Sequence, residues 1–225
     1  MLRLRLHALL LAAGLVGWSL IGPRLPTGWR TPAQAGLGGV LALTTRAPLG
    51  FRPPQLWAGL WWGSVAATVV STTIGATTPI PIVRRSMAAR ELPPSVRNWL
   101  GVHIPIGTVW AEEAAFRAAL GTVAANAFGP SRGRVLQATA FGLSHIADAR
   151  AAGQPTVPVV LVTGAAGWLF GWLADRCGSL AAPMLAHWAI NSSGALAAVA
   201  AQRRSSRVDG VVADLAAPHV VQADR

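Results

Sequence analysis

The chain has no lysine, a single cysteine and only eight acidic residues among 225. Charged residues make up 12% of it, about half the share of an ordinary soluble domain, so the usual polar skin is lacking. Low charge together with 52% hydrophobic residues excludes a disordered chain. Cys177 has no second cysteine to pair with, which excludes a disulfide scaffold. Period-two alternation is not sustained over many segments, which argues against a membrane β-barrel. There is no internal repeat, low-complexity tract or glycine-rich phosphate loop. The net charge of +11 is scattered among apolar stretches rather than gathered on one face. It therefore suits loops facing anionic lipid, and not a nucleic-acid partner.

What is present is a set of long stretches without Asp, Glu or Arg: residues 6–23, 31–45, 53–83, 135–145, 151–174 and 177–202. Residues 98–131 form another, apolar apart from Glu112, Glu113 and Arg117. A spanning helix needs about 20 mostly apolar residues. The pattern predicts an all-α, polytopic transmembrane bundle of six or seven spans, with eight as the upper bound. Trp18, Trp29, Trp57, Trp61, Trp62 and Trp99 fall near predicted span ends, as interfacial aromatic belts would place them. Trp110 and Trp188 fall deeper. Arg3 and Arg5 before the first run resemble a secretory signal, but an uncleaved first span is the expectation. The basic groups at residues 84–97 and 203–207 fall on one side, read as cytoplasmic, while the side of the N-terminus stays open.

Ionisable residues at membrane depth are costly and usually functional. Three clusters stand out. The first is Glu112-Glu113 with Arg117, roughly 20 Å into its helix. Glu113 and Arg117 are i,i+4 neighbours able to pair on one face, which leaves Glu112 turned away and free to accept a proton. The second is Phe141 with His145 at the end of the next helix. The third is His187 with Asn191, again i,i+4, in the last span. One carboxylate, two imidazoles and a carboxamide from three helices suit hydrolysis. A carboxylate in apolar surroundings can act as general base on water, and imidazole and amide groups can donate to an oxyanion. The same Glu, His and His are acceptable Zn²⁺ ligands, although the H-E-x-x-H zinc pattern is not present.

The ordered set E-E-x-x-x-R, F-x-x-x-H and H-x-x-x-N resembles the CPBP family of intramembrane proteases, which includes Rce1-type CAAX prenyl endopeptidases and bacterial Abi proteins linked to bacteriocin self-immunity. The resemblance implies a helical bundle with a cavity lined by the motif residues and opening to one membrane face. It implies that Glu112 and His145 activate water and that His187 and Asn191 form the oxyanion site. Glu113, Arg117 and Phe141 would support them. No cofactor is favoured; in the zinc alternative the ligands are Glu112, His145 and His187.

The implied organisation is N-terminal helices and a basic loop over 1–97, a catalytic core over 98–202 and a mobile polar tail over 203–225. The implied partners are membrane lipid and a peptide or protein substrate, in a bacterial plasma membrane, with the oligomeric state open. The expected function is an intramembrane endopeptidase. The alternatives are a non-catalytic membrane partner or self-immunity protein, and a small carrier built on Glu112, Glu113 and Arg117. A carrier would need broken helices, which Pro79, Pro81, Gly164 and Gly167 permit. Cys177, His7, His103 and His219 receive no role.

Overall fold

The computed structural model describes the backbone of residues 1–216 and, within that range, every side chain but Thr27 and residues 206–216. All regular structure among the described residues is helical. In chain order the helices are α1 (Leu2–Ile21), α2 (Thr27–Thr44), α3 (Gln55–Thr77), α4 (Pro81–Ala88), α5 (96–128), α6 (Pro130–Ser144), α7 (Ile146–Ala151), α8 (Thr156–Cys177) and α9 (Ala181–Ala216). A proline opens α4 and α6, where a missing N–H costs nothing. Gly178, in the left-handed region at φ 62°, ends α8.

Two of these helices, α1 with its following turn and α8, are long and apolar enough to cross a membrane. Counting α3 and α4 as one broken span makes three. The break lies at Pro79 and Pro81, with a 99° bend, whereas Gly164 and Gly167 lie inside unbroken α8. Fewer helices reach this length and hydropathy than the charge-free stretches suggested. Among the helices with the motifs, α6 is only 15 residues long, and Glu, Arg, His and Asn lower the hydropathy of α5 and α9. α9 continues past residue 203 to Ala216. The rest of the expected tail, with His219, lies outside the described residues.

The molecule turns its apolar side chains outward. Leu9, Leu10 and Leu20 on α1, Trp61 on α3, and Leu161 and Val162 on α8 are exposed, while Glu113, Arg117, Gln137 and His187 are buried. That arrangement fits an integral membrane protein, in which lipid solvates the outside and polar groups face the bundle interior. Trp29 and Trp57 are exposed as well, and Trp188 points outward, whereas Trp110 packs inward and donates from Nε1 to the Ala35 carbonyl at 3.2 Å.

α5 forms the axis of the bundle. It is wound with wider i→i+5 hydrogen bonding over Trp99–Trp110 and Glu113–Leu120, and Pro105 removes one backbone donor within the first of these stretches. Such winding is rare and is met most often at functional sites. α2 lies along α5 at close range: a β-carbon on Gly38 would stand 2.7 Å from the Ala111 carbonyl oxygen. α6 and α8 meet in the same way at Gly142, where a β-carbon would stand 2.6 Å from the Val160 carbonyl oxygen and 3.1 Å from Gly164 Cα. Small residues that let backbones approach are the usual glue of membrane bundles. Gly142→Val is therefore expected to push α6 from α8 and to destabilise the detergent-solubilised protein by about 1–3 kcal/mol. Thermal unfolding in detergent checks this, and an unchanged midpoint would mean that the helices do not meet there.

Candidate active site

Consecutive residues on α5 have opposite surroundings. The Glu113 side chain is fully buried, while that of Glu112 is 29% exposed. Glu113 Oε2 stands 3.0 Å from Arg117 Nε, in an ion pair rather than an aligned hydrogen bond. Its other oxygen, Oε1, accepts a 2.7 Å hydrogen bond from His187 Nδ1 on α9. One carboxylate thus holds a cation on its own helix and an imidazole 74 positions away. The i,i+4 spacing explains the first contact. Only the tertiary fold makes the second.

The Arg117 guanidinium has no oxygen partner for its terminal nitrogens and lies between aromatic rings instead. Its centre is 3.8 Å from the Phe141 ring centroid and 5.0 Å from that of Phe170. Cation–π attraction replaces part of the lost hydration, and more strongly where water is excluded. Phe141 also packs edge-on against His145 at 4.7 Å and Phe116 at 5.2 Å. Phe170 stacks on the His187 ring at 5.3 Å with 29° between the planes. Phe170 lies in a charge-free stretch with no motif around it, so nothing in the sequence singles it out.

His145 sits at the junction of α6 and α7. Its Nδ1 is 2.8 Å from the Phe141 carbonyl oxygen. A carbonyl only accepts, so Nδ1 carries the proton and Nε2 keeps its lone pair in the neutral ring. The Ser144 hydroxyl donates to the same carbonyl at 2.8 Å. By the same reasoning the Glu113 carboxylate fixes the proton on His187 Nδ1. His187 Nε2 then faces Glu112 Oε2 at 3.8 Å, and that oxygen is buried without a hydrogen-bond partner. Asn191 Nδ2 donates to the His187 carbonyl at 3.2 Å along its own helix, which occupies one of its two N–H groups.

Glu112 and His145 line a cavity of about 90 Å³. His187 and Asn191 do not line it; His187 lies behind Glu112. Roughly half of the wall comes from residues before Trp99, including Trp18, Ser19 and Gln34 on α1 and α2. The motif pattern pointed to none of these, because their part in the site follows from α1 and α2 packing on α5 and α6. Asp148, one turn beyond His145, also lines the cavity, and no arginine does among the described residues.

A metal would have to be held by Glu112, His145 and His187. Among the described residues no three His, Cys, Asp or Glu side chains form a group that could hold an ion. Glu112 and His187 approach each other, but His145 does not complete a third corner with them, so the donor set as placed does not fit a zinc site.

Residues 94–193 match the family model described as Type II CAAX prenyl endopeptidase Rce1-like. That segment is similar to an Rce1-like domain. No curated protein and no solved structure matches the chain. The matched segment contains all three motifs and starts just before α5. It does not include α1 and α2, which complete the cavity.

Losing one partner of a buried ion pair leaves an uncompensated charge, at a cost of about 3–5 kcal/mol. Arg117→Met is expected to destabilise the protein by that order, and the double variant Glu113→Gln with Arg117→Met to recover much of the loss. Chemical unfolding in detergent measures both. Additive losses would mean that the two side chains are not coupled.

Proposed function

We propose that the chain is a multi-pass intramembrane endopeptidase that hydrolyses a peptide bond of a membrane-associated peptide or protein. The match of residues 94–193 to a CAAX prenyl endopeptidase family model supports a peptidase of this broad kind. The observation that carries the finer reading is that Glu112 and His145 line the same cavity, with His187 Nε2 3.8 Å from Glu112 Oε2.

In this reading Glu112, helped by His145 Nε2, takes a proton from water as the water oxygen bonds to the scissile carbonyl carbon. The carbonyl oxygen becomes an oxyanion, which this reading assigns to His187 Nε2 and the free N–H of Asn191; neither lines the cavity, so they reach it only once Glu112 shifts aside. Donation from Nε2 requires a proton on that nitrogen as well as on Nδ1. As the oxyanion re-forms its C=O bond and the C–N bond breaks, the proton held by Glu112 passes to the leaving nitrogen, the amine and the new carboxyl group depart, and Glu112 is again a carboxylate. Arg117, Phe141 and Phe170 keep Glu113 and His187 in register.

The catalytic core is residues 98–202, with residues 1–97 supplying additional spans. The motif helices join α1, α3 and α8 in a bundle of six or seven spans in a bacterial plasma membrane. Buried polar groups facing one another inside the bundle let the less apolar helices stay at membrane depth. The reaction needs no metal, since an amide such as Asn191 is a good oxyanion donor and a poor zinc ligand.

Glu112→Gln is expected to lower cleavage by at least about 10²-fold while leaving expression, elution and thermal midpoint unchanged. The assay uses detergent-purified protein and fluorescence-quenched decapeptides, with and without a farnesylated cysteine. Full activity in Glu112→Gln would overturn the base assignment. A cellular phenotype that survives Glu112→Gln would favour the membrane-partner reading. Cleavage is further expected to survive a strong chelator; loss on chelation with recovery in Zn²⁺ would make Glu112, His145 and His187 metal ligands.

A further inference from the structure

Half of the cavity lining comes from α1, α2 and the turn between them, and Gln34 on α2 has unused hydrogen-bonding capacity. Gln34 lines the cavity, and its Oε1 is buried without a hydrogen-bond partner. The neighbouring polar groups are occupied: Ser19 Oγ donates to the Val16 carbonyl at 2.7 Å, and Thr31 Oγ1 pairs with His103 Nδ1 at 2.9 Å. A buried amide oxygen without a donor is costly, so its persistence calls for a use.

The backbone around Gln34 is held from both sides. Thr31, three residues before it, touches α5 through His103. Gly38, four residues after it, lies against the Ala111 backbone, next to Glu112. The Ala35 carbonyl accepts from Trp110 Nε1 at 3.2 Å. Residues three before and four after share a helical face. Gln34 is thus fixed on the face by which α2 meets the Glu112 turn of α5, with its carboxamide in the same cavity as Glu112 and His145.

A primary amide has an acceptor and two donors side by side, matching the N–H and C=O that an extended peptide offers on one edge. We infer that Gln34 is a substrate-positioning residue that holds the peptide backbone: Oε1 accepts a backbone N–H and Nε2 donates to a backbone carbonyl beside the scissile bond. This rests on the peptidase reading and narrows its substrate to an extended segment with unpaired backbone groups. It also assigns substrate binding to α2, outside the matched segment.

The test compares the full chain with Gln34→Met, which keeps length and apolar bulk but cannot hydrogen-bond. The probes are the fluorescence-quenched decapeptides and depsipeptide copies in which each non-scissile N–H is replaced in turn by an ester oxygen. Gln34→Met is expected to retain the wild-type thermal midpoint and lose about tenfold in kcat/KM, the worth of one hydrogen bond. Wild type is expected to lose a similar factor on one depsipeptide, and Gln34→Met to lose nothing further on it. Unchanged kcat/KM in Gln34→Met would overturn the inference. An ester penalty equal in both proteins, or a loss that tracks a lowered midpoint, would also overturn it by reducing Gln34 to a packing residue. Wild type that cleaves none of the decapeptides would defeat the peptidase reading itself, and the Gln34 assignment with it.

Discussion

A carboxylate with no solvent exposure has to be compensated where it stands, and the arrangement around Glu113 follows from that constraint. Arg117 supplies the opposite charge from the next turn of α5, and His187 supplies a hydrogen bond from α9. Arg117 in turn needs surroundings that accept a cation without water, and the faces of Phe141 on α6 and Phe170 on α8 provide them. Four helices thereby meet at one buried charge. Phe141 and His145 share a turn, and His187 and Asn191 another, so the same contacts fix His145 at the cavity and His187 beside Glu112.

The tandem glutamates separate two tasks. One residue of offset along α5 is enough to bury Glu113 while Glu112 borders the cavity. A buried network of this kind tolerates no unmatched member, because each missing partner exposes a charge to a medium of low dielectric. Glycine contacts close the helices around it: Gly38 against Ala111, and Gly142 against Val160. In lipid there is little hydrophobic gain from pressing helices together, so close backbone approach and internal polar contacts bear more of the load. The exposed leucines and valines of α1 and α8 accordingly face outward.

The candidate site was legible in the sequence to an unusual degree because its residues are polar islands in apolar stretches. Glu112, Glu113, Arg117, His145, His187 and Asn191 could each be picked out, since little else in those stretches is ionisable. The i,i+4 pairing of Glu113 with Arg117 could be foretold because helix geometry alone sets it. Phe170 and Gln34 could not be picked out. An aromatic in an apolar helix looks like any other core or lipid-facing residue, and a lone glutamine in α2 has no spacing partner that marks it. Span number was harder to read than site identity. Charge-free length counts residues, whereas crossing a membrane depends on hydropathy, which the polar motif residues lower.

By itself the sequence determined an all-helical chain that turns apolar surface outward, and the three motif turns on which polar chemistry is concentrated. These are local properties, set by composition and by a repeat of about 3.6 residues. Only the tertiary structure decided that Glu113 is shared between Arg117 and His187, that Phe170 covers both, and that α1 and α2 wall the cavity beside Glu112. Those facts depend on which helices become neighbours. That choice is made by backbone contacts at glycines and by the compensation of one buried charge, between residues far apart in the chain.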